Sequence, residues 1–363
     1  RVDMNEKKTE NIVRDYFRKH GYYKDSNIIV EEQQSDNPRI KKLLKNASKK
    51  GTKGGYPEFI VTSKQYSDFV IIVECKANVS KHESKTKDHY ADYAVDGVLL
   101  YASYLKKEFD VIAIAVSGET KKHIKINHFL CLKGQPKEIP SFGNNILSFE
   151  NYYENYINNP IKFNQDYLAL LKYSEKLNET LHLNKISESD RAFFISGVLI
   201  ALQDKAFKQS YESESTYDSL SERLVGTIKT HLTNSRIASD KIKNIESQFL
   251  FIKSNISFSQ NKTILIDIIK DIDQKVNSFM KTYQYFDTLG RFYIEFLRYA
   301  NNDSGLGIVL SPLHITDLFC ELADVDENSV ILDNCCGTGG FLRAVTKTQV
   351  MLAKRLAMRH KES

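Results

Sequence analysis

Two runs of apolar, largely β-branched residues, 68–75 (DFVIIVEC) and 109–116 (FDVIAIAV), constrain the first part of this chain more than any other feature. Neither run alternates apolar with polar positions, so each predicts a strand covered on both faces. Between them Ala91, Ala94, Val95, Val98, Leu99, Ala102 and Leu105 fall on one helical stripe over residues 90–105. Strand, crossover helix and strand together predict a right-handed parallel unit. A helix over 6–17, with Ile12, Val13, Tyr16 and Phe17 recurring at helical spacing, and a short strand over 58–62 complete an α/β domain ending near Phe149.

Beyond it, strand patterns disappear. Residues 190–209 predict a helix with Phe193, Phe194, Val198, Leu199, Leu202 and Phe207 inward, behind capping residues Ser187 to Asp190. Further helices are predicted over 237–251, 264–280 and 285–299. The character changes again near the end: a short helix over 314–322, a buried strand over 329–333, a glycine-rich turn, and a helix opening at Phe341. The expected domains are 1–150, 151–301 and 302–363.

No apolar run approaches the ~18 residues of a membrane helix. The five cysteines are scattered without a Cys-x-x-Cys pair, which argues against a disulfide framework or a structural zinc site. These features predict a reduced, cytoplasmic protein with no membrane partner. Net charge is +5, and the excess lies in residues 1–150, at +6 against −1 for the rest. It is sharpest at Arg39, Lys41, Lys42, Lys45, Lys49, Lys50 and Lys53, with no acid among them. Such a run suits a polyanion, because neutralised phosphates release counterions; a solvated basic loop is the other reading, and the run alone leaves both open.

Chemistry concentrates at two places. Pro57-Glu58 opens one predicted strand, and Glu74-Cys75-Lys76 closes the next. Residues two apart on a strand share a face, so Glu74 and Lys76 face together and Cys75 faces the core. If the strands pair, Glu58 sits beside Glu74, and two carboxylates with a backbone carbonyl suit Mg²⁺. Lys76, facing a cleft and packing little, would orient the attacking water and offset transition-state charge. Glu6 or Glu10 on the first helix would add a ligand, and Glu10 is the one assigned. An acid-x-Lys at a strand end also occurs for structural reasons alone, since strands must end in something polar. The second place is Asp333-Asn334-Cys335-Cys336-Gly337-Thr338-Gly339-Gly340, where glycines after a strand allow close backbone approach to a ligand. No Gly-Lys-Ser/Thr follows, so it is not a Walker A loop.

Pro57-Glu58 with Glu74-Cys75-Lys76 resembles the PD-(D/E)xK nuclease pattern, with Glu58 where Asp is usual. Residues 89–105 followed by 109–118 resemble the nuclease part of Type IIG restriction–modification enzymes, which fuse an endonuclease, a helical connector and an adenine-N6 DNA methyltransferase. The turn resembles the first S-adenosylmethionine motif of those methyltransferases, with Asn334 in place of Pro, and residues 307–312 resemble the segment cradling the methionine end of the cofactor. Residues 287–293 and 191–207 resemble the connector and N-terminal helical region of this family and of Type I modification subunits.

The resemblance implies a PD-(D/E)xK-like mixed sheet, an all-α connector and the start of a Rossmann-like domain. It implies a site-specific deoxyribonuclease with catalytic Glu58, Glu74 and Lys76, Mg²⁺ on Glu10, Glu58 and Glu74, and double-stranded DNA as partner. Ser311, Pro312, Asp333, Cys336, Gly337, Thr338 and Gly339 would bind S-adenosylmethionine in the full-length protein. The family's catalytic Asn-Pro-Pro-Tyr/Phe tetrad does not follow the first motif, and only 22 residues follow Phe341. Asn158-Asn159-Pro160-Ile161 lies upstream, as a loop. The alternative is a DNA- or partner-binding fragment lending its helices and part of a cofactor site to a separate methyltransferase chain. On either reading the 363-residue chain is expected to transfer no methyl group to adenine by itself; labelled methyl appearing on DNA from S-adenosylmethionine contradicts that expectation.

Overall fold

Six strands in sequence order form a mixed sheet at the centre of the first unit. They are β1 (Ile28–Glu31), β2 (Phe59–Ser63), β3 (Phe69–Lys76), β4 (Asp110–Ser117), β5 (Lys125–Cys131) and β6 (Ile139–Ser141). The computed structural model describes residues 6–49, 54–234, 239–283, 311–336 and 339–362. The chain divides into two compact units, Arg1–Phe163 and Asn164–Ser363.

β3 and β4 pair in parallel, joined by helix α3 (Ala94–Leu105), while every other neighbouring pair is antiparallel. All eight residues of β3 and all eight of β4 are buried, as their unbroken apolar runs require. Alternate side chains feed two cores. Val61, Ile71, Val73, Cys75, Ile112, Ile114 and Val116 pack with Val13 and Phe17 of α1 (Glu6–Lys19) and with Phe149, Tyr152 and Tyr156 of α4 (Phe149–Ile157). Ile60, Val70, Ile72, Val111, Ala113 and Ala115 pack with Ile40 and Leu44 of α2 (Pro38–Leu44) and the apolar stripe of α3. The turn out of β4 requires Gly118: its φ is +120°, and a Cβ there would lie 2.1 Å from the His123 carbonyl oxygen.

The compact unit runs past residue 150 because α4 closes the sheet. Tyr156 donates its hydroxyl to Asp110 Oδ2, Lys162 Nζ lies 3.1 Å from the same oxygen, and the Lys133 amide donates to Asp110 Oδ1 at 2.7 Å.

The second unit is helical among its described residues: α5 (Pro160–Leu183), which begins in the first unit, then α6 (Glu188–Ala201), α7 (Lys205–Ser210), α8 (Tyr217–Asn234), α9 (Ser239–Ser247), α10 (Ile256–Gln260), α11 (Lys262–Ile272) and α12 (Ser278–Thr282). The single helix expected over 190–209 is two, because Asp204 Oδ1 caps α7 by accepting from the Phe207 amide. Buried Arg191 ties α6 to α5 through Asn178 Oδ1 at 2.7 Å and His182 Nδ1 at 3.1 Å. The helix expected over 264–280 forms with a π-helical turn at Asp273–Asn277. That expected over 285–299 lies outside the described residues.

Near the end, helices Leu313–Leu322 and Gly340–Glu362 meet around Cys320, Val325, Ala344 and Val345. The buried strand expected over 329–333 does not form: the backbone there is irregular, and Val330 and Leu332 are 97% and 90% exposed. An apolar segment becomes a buried strand only where neighbouring strands supply ladder partners and cover, and no described strand pairs with this one. All five cysteines are free. No helix among the described residues is long and apolar enough to cross a membrane.

Two histidines buried against the sheet make the first unit sensitive to acid. Burial pulls His82 and His128 down to about 4. His82 pairs with Ser117 Oγ at 2.7 Å, and His128 with the Tyr152 hydroxyl at 2.7 Å and the Gly143 carbonyl at 2.9 Å. A histidine whose folded pKa is depressed contributes stability that is present above its ordinary value near 6.5 and lost as pH falls toward 4. Urea unfolding at pH 7 and pH 4.5 is therefore expected to show a loss of up to about 3 kcal/mol per histidine. A His82→Asn/His128→Gln double variant is expected to flatten that dependence; an unchanged slope contradicts the assignment.

Candidate active site

The site grows from strand register. Phe59 pairs with Val73 in the antiparallel β2–β3 ladder, so Glu58, immediately before β2, falls opposite Glu74. Directly opposed residues share a face, and Lys76, two beyond Glu74, shares it too. Three polar side chains thus continue the layer begun by Ile60, Val70 and Ile72 at the point where the sheet ends. Cys75 points the other way into the core, where burial pushes its thiol well up.

Glu74 is fully buried and Glu58 half-buried. Glu58 Oε2 accepts from the Cys75 amide at 3.1 Å. Burial, then the neighbouring Glu74 carboxylate, push Glu58 well above the ordinary carboxylate range. Two lysines converge on Glu74 Oε1: Lys49 Nζ in direct contact and Lys76 Nζ at 3.3 Å. Lys76 also donates to Glu6 Oε1 at 3.0 Å. Burial pulls both ammonium groups down, but the carboxylates outweigh it and leave both lysines raised.

Glu74 Oε2 is different. It is buried and accepts no hydrogen bond from the protein. A buried carboxylate oxygen without a donor costs several kcal/mol unless a proton or a cation serves it. Two adjacent carboxylates, one with a bare oxygen and one raised in pKa, are the donor set a hard divalent cation takes. The residues present therefore fit Mg²⁺, and Glu58 and Glu74 are the side chains that would hold it.

Other expected residues stand apart from this pair. Glu10 pairs with Arg14 at 3.0 Å, and among the described residues no group of three or more His, Cys, Asp or Glu side chains is placed to hold a metal. Lys76, expected to pack little, is 9% exposed and bridges Glu6 and Glu74, because α1 lays its first turn over the end of β3. The basic run divides. Arg39 pairs with Asp68 and Glu108 and stacks over Phe109, and Lys49 turns inward, whereas Lys41, Lys42 and Lys45 are exposed on or just after α2. Lys50 and Lys53 lie outside the described residues.

At the other candidate site, Ser311 and Pro312 are exposed ahead of helix Leu313–Leu322. Asp333 Oδ1 accepts from the Cys335 amide at 3.1 Å. Cys336 is exposed, and Gly339, at φ +80°, donates to the Cys336 carbonyl and leads into helix Gly340–Glu362. Gly337 and Thr338, like residues 285–299 and 307–310, lie outside the described residues.

Sequence reasoning missed three contributors to the Glu58–Glu74 pair. Lys49 falls by sequence within the run assigned to DNA. Tyr101 lies under Lys49, 5.0 Å from ring centroid to Nζ, and its hydroxyl accepts from the Tyr56 amide at 3.2 Å. Gly97 lies four residues before Tyr101 on α3, a spacing that puts both on one face toward the pair; a Cβ there would stand 3.2 Å from Glu74 Cδ and Oε1. Gly97→Ala is accordingly expected to cost about 1–3 kcal/mol by overpacking. It is also expected to lower any activity of the pair, because the added Cβ crowds Glu74 at 3.2 Å and the Tyr90 carbonyl oxygen at 2.9 Å. Melting and kinetic measurements on the variant check both, and parental values contradict the close approach.

Residues 284–358 match the N-6 DNA methylase family. The chain is 30% identical over 350 residues to the type II restriction enzyme and methyltransferase RM.BcgI of Heyndrickxia coagulans, an alignment covering 88% of this chain and 54% of that protein. The chain thus spans about half the length of the curated relative it matches. No solved structure matches the chain.

Proposed function

We propose that this chain is part of a Type IIG-like restriction–modification protein, with a PD-(D/E)xK-like, Mg²⁺-dependent DNA endonuclease in its first 150 residues. Residues 151–301 are then the connector, and 302–363 open the methyltransferase. The observation that carries the nuclease reading is the placement of Glu58 opposite Glu74, with Lys76 on the same face and Glu74 Oε2 without a donor. The similarity to a protein named as both restriction enzyme and methyltransferase supports the fusion.

In this reading Glu58 and Glu74 hold Mg²⁺, which when bound lowers the pKa of water and offsets charge on the scissile phosphate. Lys76, steadied by Glu6, orients the attacking water and stabilises the developing negative charge. Lys49 fixes Glu74 from the other side. Exposed Lys41, Lys42 and Lys45 neutralise DNA phosphates. Adenine-N6 methylation belongs to the full-length protein, and the family match over 284–358 supports S-adenosylmethionine as its cofactor. By the motif their sequence resembles, Ser311, Pro312, Asp333, Cys336, Gly337, Thr338 and Gly339 are the residues proposed to bind it. Exposed Val330 and Leu332 favour a second reading, in which a further chain covers this end and completes the methyltransferase.

Cleavage of double-stranded plasmid DNA tests the nuclease reading. The chain is expected to nick or linearise plasmid with Mg²⁺ and not with a chelator. Lys76→Ala and Glu74→Gln are expected to lose about 10²–10⁴-fold in rate, with circular dichroism reporting the fold of each. Parental cleavage by a folded Lys76→Ala variant contradicts the assignment.

A further inference from the structure

A cavity of about 340 Å³ opens at the segment that leads into Glu58, with Gln33, Gln34, Lys41, Lys45 and Tyr56 in its lining. Its volume is at the lower end of ligand pockets, about 300–1,000 Å³, a size for one small planar group with its attachments. Four of these side chains have no intramolecular partner among the described residues: the amides of Gln33 and Gln34 and the ammonium groups of Lys41 and Lys45. Lys42 is exposed outside the lining, whereas Arg39 is committed to two carboxylates and Lys49 to Glu74. Tyr56 stands 45% exposed at the same cavity.

The frame around these groups is fixed. Gln33 holds a left-handed backbone, φ +62°, pinned by the hydrogen bond its backbone N–H donates to the Pro57 carbonyl at 3.0 Å. A non-glycine residue in that region is uncommon and, where its surroundings impose it, tends to mark a functional site. The Tyr56 amide is tied to the Tyr101 hydroxyl, and Tyr101 borders Glu74. One backbone segment thus carries Tyr56 of the cavity and, two residues on, Glu58 of the carboxylate pair.

We propose that this cavity binds one unstacked nucleotide of DNA, its base against the Tyr56 ring, its edge met by Gln33 and Gln34, and its phosphate by Lys41 and Lys45. Glutamine amides supply both donors and acceptors for base edges, and lysines supply point charges for phosphate. An aromatic face accepts any base by stacking. The faces of a base within a duplex are covered by its neighbours, so a base that lies against the Tyr56 ring is extrahelical or single-stranded. The proposal rests on DNA being the substrate of the adjacent site and adds to it a second point of contact.

Fluorescence anisotropy of the full chain with a labelled 12-nucleotide single strand, and with the same sequence as a duplex, tests it in the presence of a chelator, where cleavage plays no part. Single strand is expected to bind. Tyr56→Ala is expected to weaken it at least about fivefold and Tyr56→Phe to leave it unchanged. A Lys41→Gln/Lys45→Gln variant is expected to lower the salt slope for single strand by about 0.7. Parental binding by Tyr56→Ala, equal losses in Tyr56→Ala and Tyr56→Phe, or binding of duplex alone overturns the proposal. A parallel plasmid assay separates the two readings. Cleavage with no effect of Tyr56→Ala on binding sinks the pocket and keeps the nuclease; pocket-dependent binding without cleavage does the reverse.

Discussion

Two acidic side chains side by side at the end of a buried sheet are an electrostatic problem, and the first unit is arranged around it. Glu58 and Glu74 face each other because of the β2–β3 register, and Glu74 is wholly removed from water. Uncompensated, such a pair cannot be doubly ionised. Lys49 and Lys76 neutralise one oxygen of Glu74, the Cys75 amide serves Glu58, and the remaining Glu74 oxygen is left for a proton or a cation. The raised pKa of Glu58 has the same origin: burial, and then the Glu74 carboxylate beside it, disfavour its charged form.

The surrounding fold serves to hold this arrangement rigid. Each lysine comes from a different direction: Lys76 from the strand itself, Lys49 from the loop after α2. The Thr9 hydroxyl on α1 donates to the carbonyls of Gly118 and Lys76, at 2.9 and 3.3 Å, pinning the ends of β3 and β4 together. α3 presents Gly97 and Tyr101 to the pair, so the crossover helix that makes the sheet parallel at its centre also shapes the site. Helix positions locked by two apolar cores are a better support for such geometry than loops.

The central fold was legible because burial leaves a plain mark. A strand covered on both faces must be apolar throughout, and 68–75 and 109–116 are; the parallel pairing follows from the helix between them. Parity along β3 and the Pro57-Glu58 position gave the Glu58–Glu74–Lys76 face. What was not legible was tertiary. Lys49 belongs by sequence to a basic run, and only the packing of α2 against α3 turns it onto Glu74. β1 and β6 are short edge strands, and β5 mixes polar and apolar residues, so none stood out. The apolar 329–333 segment had the composition of a buried strand and lacks the neighbours that would make it one. The split between α6 and α7 turned on a single cap, Asp204, inside an otherwise continuous helical stripe.

The proposed nuclease function requires one divalent cation between Glu58 and Glu74. Crystals of the chain soaked in Mn²⁺ and measured for anomalous scattering test it most directly. One peak is expected in the first unit, about 2.0–2.6 Å from oxygens of both carboxylates, with the Glu74 oxygen that has no donor among its ligands. The peak is lost in Glu74→Gln. A difference map without that peak at saturating Mn²⁺, or with the ion bound elsewhere and the pair untouched, contradicts it.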